Sequence, residues 1–530
     1  MNKILLAGAF TMLLGSGAFA QEKCTVTFDY ADLRQEIHSF GASDCWRTQY
    51  VGMWPEEKKN EMADLLFSSE FDETGSPKGI GLSLWRFNIG SGSHEAGDAG
   101  GITSDWRRTE CFLDKDGNWD WTKQEGQRWF LDAAKKRGVP YTLGFSITAP
   151  YFMTKNGMAR ASDTTPNANI REDQYRNYAA FMAEVCAHFG IDYLSPINEP
   201  QWAWNVSRQE GMQATNEESA KLIKLLDEEI TKRGSKTKVV FGEAADIRNL
   251  YRGGVTALRD NQIAEMFLPS GKHYIGNLKN VAKTISGHSY WSTWPLDTLI
   301  TSRSDLRKAL PDGYSYWQTE YCPMEQNPDN PNGGGFRDFG MDYALYVSRI
   351  IHHDLTVSEA TSWQSWTAFS DGDYKDVLIY VGDETLLYPH KKIETKFADT
   401  GKTDGYFLPT KYMWALGNYS FFVRPGMVRM AQENELSVNT VETARELMVS
   451  AYVDKNKKKM VFVFVNYGDT DRNVDLSVKN LPKKMHLGSL KRYETSSRSD
   501  LKYTGFSEAD ARSEERRVGK ECRSRWSPYH

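Results

Sequence analysis

Short apolar runs alternate with amphipathic stretches along most of the chain, from about residue 37 to residue 420. The apolar runs have the length of β-strands, and stretches such as EGQRWFLDAAKKRG and QYRNYAAFMAEVCAHFG between them have helical spacing. Strands that alternate with helices form a parallel sheet, and eight such units close most economically into a (β/α)8 barrel. The eight predicted strands are IHSFGAS, LSLWRFN, YTLGFSI, DYLSPIN, KVVFGEA, TISGHSY, YSYWQTE and ATSWQSW.

The pattern changes after the last predicted barrel helix. Residues 421–502 have mostly strand-like sequence, clearest in LMVSAYVD and KKMVFVFVNYGD. Near the other end, CTVTFDYADL alternates as well, which places Cys24, Val26, Phe28 and Tyr30 on one face of a strand. We therefore predict a side β-sandwich made of residues 421–511 and an N-terminal strand within residues 21–36, packed beside a barrel of residues 37–420.

The two ends of the chain are not expected to be part of the fold. Residues 1–20 have a short basic start, an apolar run and a small-residue cleavage site at Ala20, which is typical of an export signal. The run is too short to span a membrane, so we expect release into the periplasm or the medium without membrane insertion. Residues 512–530 change abruptly to an arginine-rich sequence that resembles a translated sequencing adapter. We expect this tail to be an artefact and the sandwich to be truncated.

Composition excludes some partners. The formal net charge is -5, from 65 basic and 70 acidic residues, so nothing indicates binding to nucleic acid or to an anionic membrane. The cysteines before residue 512 are few and widely spaced, which argues against a disulfide framework and against a paired metal site. We expect no metal, no cofactor and a monomer.

In a barrel of this kind the working residues lie at the carboxyl ends of the strands. Two glutamates at such positions, Glu199 and Glu320, would face each other across the barrel mouth. Paired carboxyls suit the hydrolysis of a glycosidic bond, because one protonates the leaving oxygen while the other attacks the anomeric carbon or activates water. Glu243 is the alternative to either of them. The other strand-end candidates are Arg86, Asn198, His288, Tyr290, Trp363 and Trp366.

Longer motifs give a more specific indication than the two glutamates alone. SPINEPQW and YWQTEYC look like the acid/base and nucleophile strands of clan A glycoside hydrolases. Together with FGASDCW, GIGLSLWRFNIGSGS, ISGHSYW and MDYALYVSRIIHHDLT, they resemble glycoside hydrolase family 30, and within it the endo-β-1,6-galactanase branch. The resemblance covers about residues 35–380. It implies a (β/α)8 barrel with a side β-sandwich, in agreement with the pattern.

The resemblance also implies roles for individual residues. Glu199 would be the general acid/base and Glu320 the nucleophile of a retaining mechanism, with carboxyls about 5–5.5 Å apart. Asn198 would bond the substrate 2-hydroxyl. Arg86 and Tyr290 would stabilise the negative charge of Glu320. His288 would contact the sugar or the acid/base, and Trp363 would be the ring platform under the reacting sugar. Asp44 would bond a sugar hydroxyl. Other subsites would be lined by Trp46, Trp202 and Trp204. Packing in the core or at the rim is an equal alternative for Trp46, Trp202, Trp204 and Asp44. For His288 the alternative is a hydrogen-bonded histidine at the rim that contacts neither sugar nor the acid/base.

The expected function is therefore a secreted retaining endo-glycosidase that cuts β-1,6-galactan side chains of a polysaccharide such as arabinogalactan. The alternatives within the family are a β-1,6-glucanase, a glucosylceramidase and a xylanase. Galactose and glucose differ only in the orientation of the 4-hydroxyl, so one or two polar contacts decide between them. An alternative of another class is a glycan-binding protein without catalytic activity. The presence of both glutamates argues against it.

Overall fold

The fold was analysed in a computed structural model of the chain. The structure describes residues 23–206, 208–387, 399–434, 438–456, 459–483, 487–507 and 518–522. The predicted export signal lies outside the described residues, and so does most of the predicted artefact tail.

Eight parallel strands, β2 to β9, close into a barrel in which β2 pairs with β9. Seven of the strands lie within the predicted apolar runs, and the eighth, β7, begins three residues before its run TISGHSY, so the predicted barrel is confirmed. The strands before and in the barrel are β1 Lys23–Glu36, β2 Ser39–Ser43, β3 Leu84–Asn88, β4 Tyr141–Phe145, β5 Tyr193–Ser195, β6 Lys238–Ala244, β7 Val281–His288, β8 Ser315–Glu320 and β9 Ser362–Ser365.

Amphipathic helices cover the outside of the barrel and bury their apolar sides against it. The helix Asn216–Lys232 begins with a complete capping box between Thr215 and Glu218, which satisfies two backbone donors at its start. The helices are α1 Thr48–Val51, α2 Glu56–Phe67, α3 Ser93–Ala96, α4 Glu125–Lys136, α5 Tyr175–Phe189, α6 Asn216–Lys232, α7 Arg248–Tyr251, α8 Leu296–Ala309, α9 Met341–Thr356 and α10 Lys411–Ser420.

The remaining strands form three smaller sheets. After the barrel the chain makes a three-stranded sheet, β10-β11-β12, that the sequence pattern did not predict. Further along it makes a six-stranded sheet in the order β15-β14-β13-β1-β16-β19 and a hairpin of β17 and β18. These strands are β10 Thr367–Ser370, β11 Val377–Gly382, β12 Tyr406–Pro409, β13 Val428–Gln432, β14 Leu447–Asp454, β15 Lys459–Asn466, β16 Arg472–Lys479, β17 Leu490–Ser496, β18 Ser499–Ser507 and β19 Val518–Cys522.

The N-terminal strand β1 lies in the middle of the six-stranded sheet, antiparallel to β13 and parallel to β16. Val26 and Phe28 are buried in the core of this sheet, with Cys24 and Tyr30 packed against it, so the predicted face of the strand is confirmed. A side β-domain completed by an N-terminal strand is therefore present. Strand β19 belongs to the sequence predicted to be an artefact tail and pairs at the edge with β16. Whether that tail is native stays a prediction.

None of the helices in the described part of the chain is long and apolar enough to cross a membrane. Cys45, Cys111, Cys186 and Cys322 are buried free thiols.

Candidate active site

The two predicted catalytic glutamates lie together at the carboxyl ends of their strands. Glu320 is the last residue of β8, and Glu199 follows β5 on the turn that contains Pro200. Both side chains are buried in the floor of the barrel mouth. A carboxylate oxygen of Glu199 and one of Glu320 lie within 4.8 Å of each other. This separation is close to that of retaining glycosidases and shorter than the roughly 6.5–9.5 Å that an inverting pair needs for its water.

Glu320 is held by a cation and a hydroxyl group. Arg86, on β3, donates from Nη1 to Glu320 Oε2 at 2.6 Å, and Tyr290 donates from its hydroxyl to Glu320 Oε1 at 3.0 Å. Burial raises the pKa of Tyr290 well above its ordinary value, so this hydroxyl keeps its proton and remains a donor. Two donors and no acceptor stabilise a carboxylate at Glu320, which is the form that can attack a carbon atom.

Glu199 has a different environment. Its nearest polar partner is His288, whose Nδ1 lies 2.9 Å from Glu199 Oε1. Burial raises the pKa of Glu199, and the hydrogen bond and charge of His288 oppose that shift only in part. A carboxyl with a raised pKa is suited to donate a proton near neutral pH. The two glutamates therefore differ in the way that an acid and a nucleophile must differ.

His288 acts as a cation between carboxylates. Burial alone would lower its pKa, but the charge of Glu320 and the hydrogen bonds to Glu199 and Glu243 raise the pKa of His288 to about 10. Its Nε2 lies 3.2 Å from Glu243 Oε2 and donates to it. The predicted contact between His288 and the acid/base is present in the structure.

Glu243, the sequence alternative, lies beneath the pair. Its Oε2 accepts from Arg86 at 3.1 Å and from His288, and its Oε1 accepts from Thr319 at 3.0 Å. Burial would raise the pKa of Glu243, but the hydrogen bond from His288 and the charge of Arg86 lower it to about 2. A fully buried carboxylate with both oxygens occupied neither donates a proton nor reaches a substrate. The structure thus favours a positioning role for Glu243, which fixes Arg86 and His288.

The charge environment of Glu199 bears on its proton. Arg86 and His288 lie among three carboxyl groups, those of Glu199, Glu243 and Glu320. Burial disfavours the charged form of Glu199 and raises its pKa, which is the direction that keeps a proton on this group.

The backbone brings these groups together by local strain. Glu199 and Glu243 both have left-handed backbone angles, with φ of 47° and 46°, and the Glu199 amide donates to the Glu243 carbonyl at 3.1 Å. Such conformations are unfavourable for residues with a side chain and concentrate at functional sites. Asn198 accepts from Arg86 Nη2 at 2.9 Å through its Oδ1. This contact orients the amide so that its Nδ2 group is a donor, as a bond to a sugar hydroxyl requires.

Glu199, His288 and Glu320 also have the composition of a metal site. Both ring nitrogens of His288 already contact carboxylates, Nδ1 that of Glu199 and Nε2 that of Glu243, so a cation at this cluster would have to displace the contact between His288 and Glu199.

Comparison with known proteins identifies the family. The sequence model of O-glycosyl hydrolase family 30 matches residues 23–380. The chain belongs to O-glycosyl hydrolase family 30. The chain is 22% identical to an endo-β-1,6-galactanase of Hypocrea rufa over 413 residues, which cover 73% of this chain and 75% of that protein.

Solved structures have the same fold. A conserved exported protein from Bacteroides fragilis has a TM-score of 0.83 and 34% identity, with coverage of 93% of this chain and 98% of that one. The catalytic domain of a family 30 xylanase C from Talaromyces cellulolyticus has a TM-score of 0.62 and 15% identity, with coverage of 94% and 98%. The predicted fold and the predicted glycoside hydrolase class are confirmed, while the roles of individual side chains stay predictions.

The structure separates the two tryptophans at the end of the eighth barrel strand of this family 30 protein. Trp363 is fully buried, and its Nε1 donates to Asp354 on α9 at 2.9 Å, so the ring faces the helices. This placement argues against the predicted platform role of Trp363. Trp366 follows the strand, is only half-buried, and lies with its ring centroid 5.3 Å from that of Trp46. Trp366 is therefore better placed than Trp363 to line the cleft, whereas Trp46 is buried and fits the packing alternative.

The remaining sugar-binding candidates fall into two groups. Trp204 is buried and donates from Nε1 to the Glu199 carbonyl at 3.1 Å, so it supports the acid/base turn. Asp44 is also buried; its Oδ1 accepts from the Asn88 amide at 2.8 Å, and burial raises the pKa of Asp44 to about 7. Both positions fit the packing alternative. Trp202 is exposed at the rim and stacks on Trp291, which the sequence interpretation did not include.

Proposed function

We propose that this protein is a secreted retaining endo-glycosidase that hydrolyses β-1,6-galactan by double displacement. The observation that carries the mechanism is the pair of carboxyls within 4.8 Å of each other in opposite environments. Glu320 faces Arg86 and Tyr290, while Glu199 faces only His288 and has a raised pKa through burial.

In the first step a Glu320 oxygen attacks the anomeric carbon, and the bond from that carbon to the leaving oxygen breaks. Glu199 gives its proton to the leaving oxygen, which departs as the hydroxyl of the released sugar. The product is a glycosyl ester of Glu320 and an ionised Glu199. His288 stabilises the new charge on Glu199 because it already donates to Glu199 Oε1.

In the second step Glu199 accepts a proton from water, whose oxygen attacks the anomeric carbon and releases Glu320 as a carboxylate. The cluster then returns to its starting charge. Asn198 donates to the sugar 2-hydroxyl throughout, a contact that strengthens in the transition state. Arg86 connects this residue to the nucleophile, since it contacts both Asn198 and Glu320.

The choice of β-1,6-galactan rests on the family motifs and on the endo-β-1,6-galactanase relative. The fold alone does not decide the sugar, because a xylanase of the same family has the same architecture. Export of the chain is supported by the signal-like first twenty residues and by the name of the exported Bacteroides fragilis relative.

Product analysis on three polysaccharides tests the substrate. We expect the protein to release β-1,6-galacto-oligosaccharides of several lengths from β-1,6-galactan and to leave β-1,6-glucan and xylan uncut. The products are separated by chromatography and compared with standards, with Glu320→Ala as the inactive control. Cleavage of the glucan or of the xylan, with the galactan left intact, would replace the proposed substrate by that glycan and leave the two-glutamate mechanism standing.

A further inference from the structure

Two tryptophans at the rim of the barrel form an exposed stacked pair. Trp202 is 43% exposed and Trp291 is 38% exposed, and their rings are nearly parallel, at 6°, with centroids 5.1 Å apart. Each ring covers one face of the other, so the exposed area of each lies on its outer face and edges. Adjacent exposed aromatic rings, as distinct from a single exposed apolar residue, commonly mark a binding site.

The pair lies on the acid/base side of the site. Trp202 is on the turn that presents Glu199, and its amide donates to the Glu199 carbonyl at 3.0 Å. Trp291 directly follows Tyr290, and the centroids of these two rings are 5.8 Å apart. The leaving group of a glycosidase departs next to the acid/base, which must reach its oxygen. The tryptophan pair is therefore close to the path of the leaving sugar.

The backbone of Trp291 is fixed from both sides. Its amide donates to the carboxylate of Glu325, and its carbonyl accepts from Arg248 Nη2 at 3.0 Å. Thr293 donates to the other oxygen of Glu325 at 3.2 Å. The left-handed backbone of Trp291, with φ of 52°, is a strained conformation for a large residue. A strained, anchored and exposed indole is pre-organised for a ligand rather than for packing.

We propose that Trp202 and Trp291 form a platform on which the leaving-group pyranose stacks through its C–H face. A pyranose presents such an apolar face to an aromatic ring without losing the hydrogen bonds of its hydroxyls. The inference rests on the proposed function and extends it to the sugar on the far side of the scissile bond. The platform makes cleavage depend on that sugar, which an endo-acting enzyme needs.

The test compares two substrates of the same donor sugar. A galacto-oligosaccharide has a leaving-group pyranose, whereas the corresponding glycosyl fluoride has only a fluoride ion to lose. For each protein we take the ratio of kcat/KM on the oligosaccharide to kcat/KM on the fluoride. We expect this ratio to fall at least tenfold in both Trp202→Ala and Trp291→Ala. In both variants we also expect added galacto-oligosaccharide to accept the glycosyl group of the fluoride less efficiently than it does in the wild-type protein.

Trp119→Ala is the matched control. Trp119 is 36% exposed and also stacks on another tryptophan, Trp121, but it packs against Phe181 on α5. Its ratio should equal that of the wild-type protein. An unchanged ratio in Trp202→Ala and Trp291→Ala would overturn the platform, and so would an equal loss on both substrates. Either variant suffices if the other fails to fold.

The platform can be tested even if the proposed substrate is wrong. If the wild-type protein cuts another glycan, the ratio is measured with oligosaccharide and fluoride of that glycan. If it cuts none, oligosaccharide binding to Glu320→Ala is measured by calorimetry with and without Trp202→Ala. Equal affinities in that case would overturn the platform.

Discussion

Replacing Glu320 by alanine is expected to lower kcat on every glycoside substrate by about 10⁴-fold or more, because the covalent step loses its nucleophile. The loss should not depend on the leaving group, since even a good leaving group needs an attacking atom. Steady-state kinetics on the polysaccharide and on an activated aryl glycoside measure it.

Two controls separate the loss of chemistry from the loss of fold. Glu184→Ala removes a half-exposed carboxylate that pairs with Arg233 on the barrel surface, and it should leave kcat unchanged. The cavity left by Glu320→Ala should admit azide, which can attack the anomeric carbon of an activated glycoside and give a glycosyl azide of inverted configuration. Near-normal turnover of Glu320→Ala would contradict the nucleophile assignment.

Replacing Glu199 by alanine is expected to have an effect that depends on the leaving group. On the polysaccharide, kcat/KM should fall about 10²–10⁴-fold, because the departing alkoxide receives no proton. On a dinitrophenyl glycoside the first step should remain fast, since that group leaves without protonation. The glycosyl–enzyme should then accumulate, because its hydrolysis lacks the general base, and mass spectrometry of the intact protein detects it.

The same variant tests the electrostatics of the site through pH. Burial raises the pKa of Glu199, so the wild-type acid stays protonated above the ordinary glutamate value of about 4.3. The alkaline limb of kcat/KM should lie above that value and report the loss of this proton. In Glu199→Ala on the dinitrophenyl glycoside, the limb should disappear. An alkaline limb that stays in place would assign it to another group.

The barrel was predictable from the sequence because its signal is local. Each strand is a short apolar run, and stretches of helical spacing lie between the runs, so periodicity and length were sufficient for the barrel, although the sheet that follows β9 was missed. The helix at Asn216–Lys232 is the clearest case, because the capping-box pair Thr215 and Glu218 indicates in the sequence where the helix begins. The candidate catalytic pair, Glu199 and Glu320, came from the same pattern, because strand ends are where a barrel places its working residues.

The hydrogen bonds and ion pairs between the site residues were not predictable in the same way. The sequence identifies Glu243 as a strand-end acid, but its role depends on Arg86 from β3 and His288 from β7, which are distant in sequence. Only the closed barrel brings the three together. Without that contact, Glu243 could be ranked below the pair but could not be given a role.

The tryptophans show that the hydrophobic pattern of a sequence does not determine the direction in which a side chain points. Trp363 lies within β9 and points toward α9, whereas Trp366 lies after the strand, beside Trp46. Applied strictly, the strand-end rule would have favoured Trp366. Trp291 had a usable signal too, because it directly follows Tyr290 in the motif ISGHSYW. Its stacking on Trp202 joins two loops and could not be read from either one.

The central claim is that Glu199 and Glu320 carry out a double displacement, and the configuration of the first product tests it most directly. The hydrolysis of β-1,6-galactan is followed by proton NMR, fast enough to observe the new reducing end before it mutarotates. Two inversions at one carbon restore the starting configuration, so the account predicts that the β-anomer forms first and the α-anomer appears later. An α-anomer formed first would mean a single displacement by water and would contradict the account.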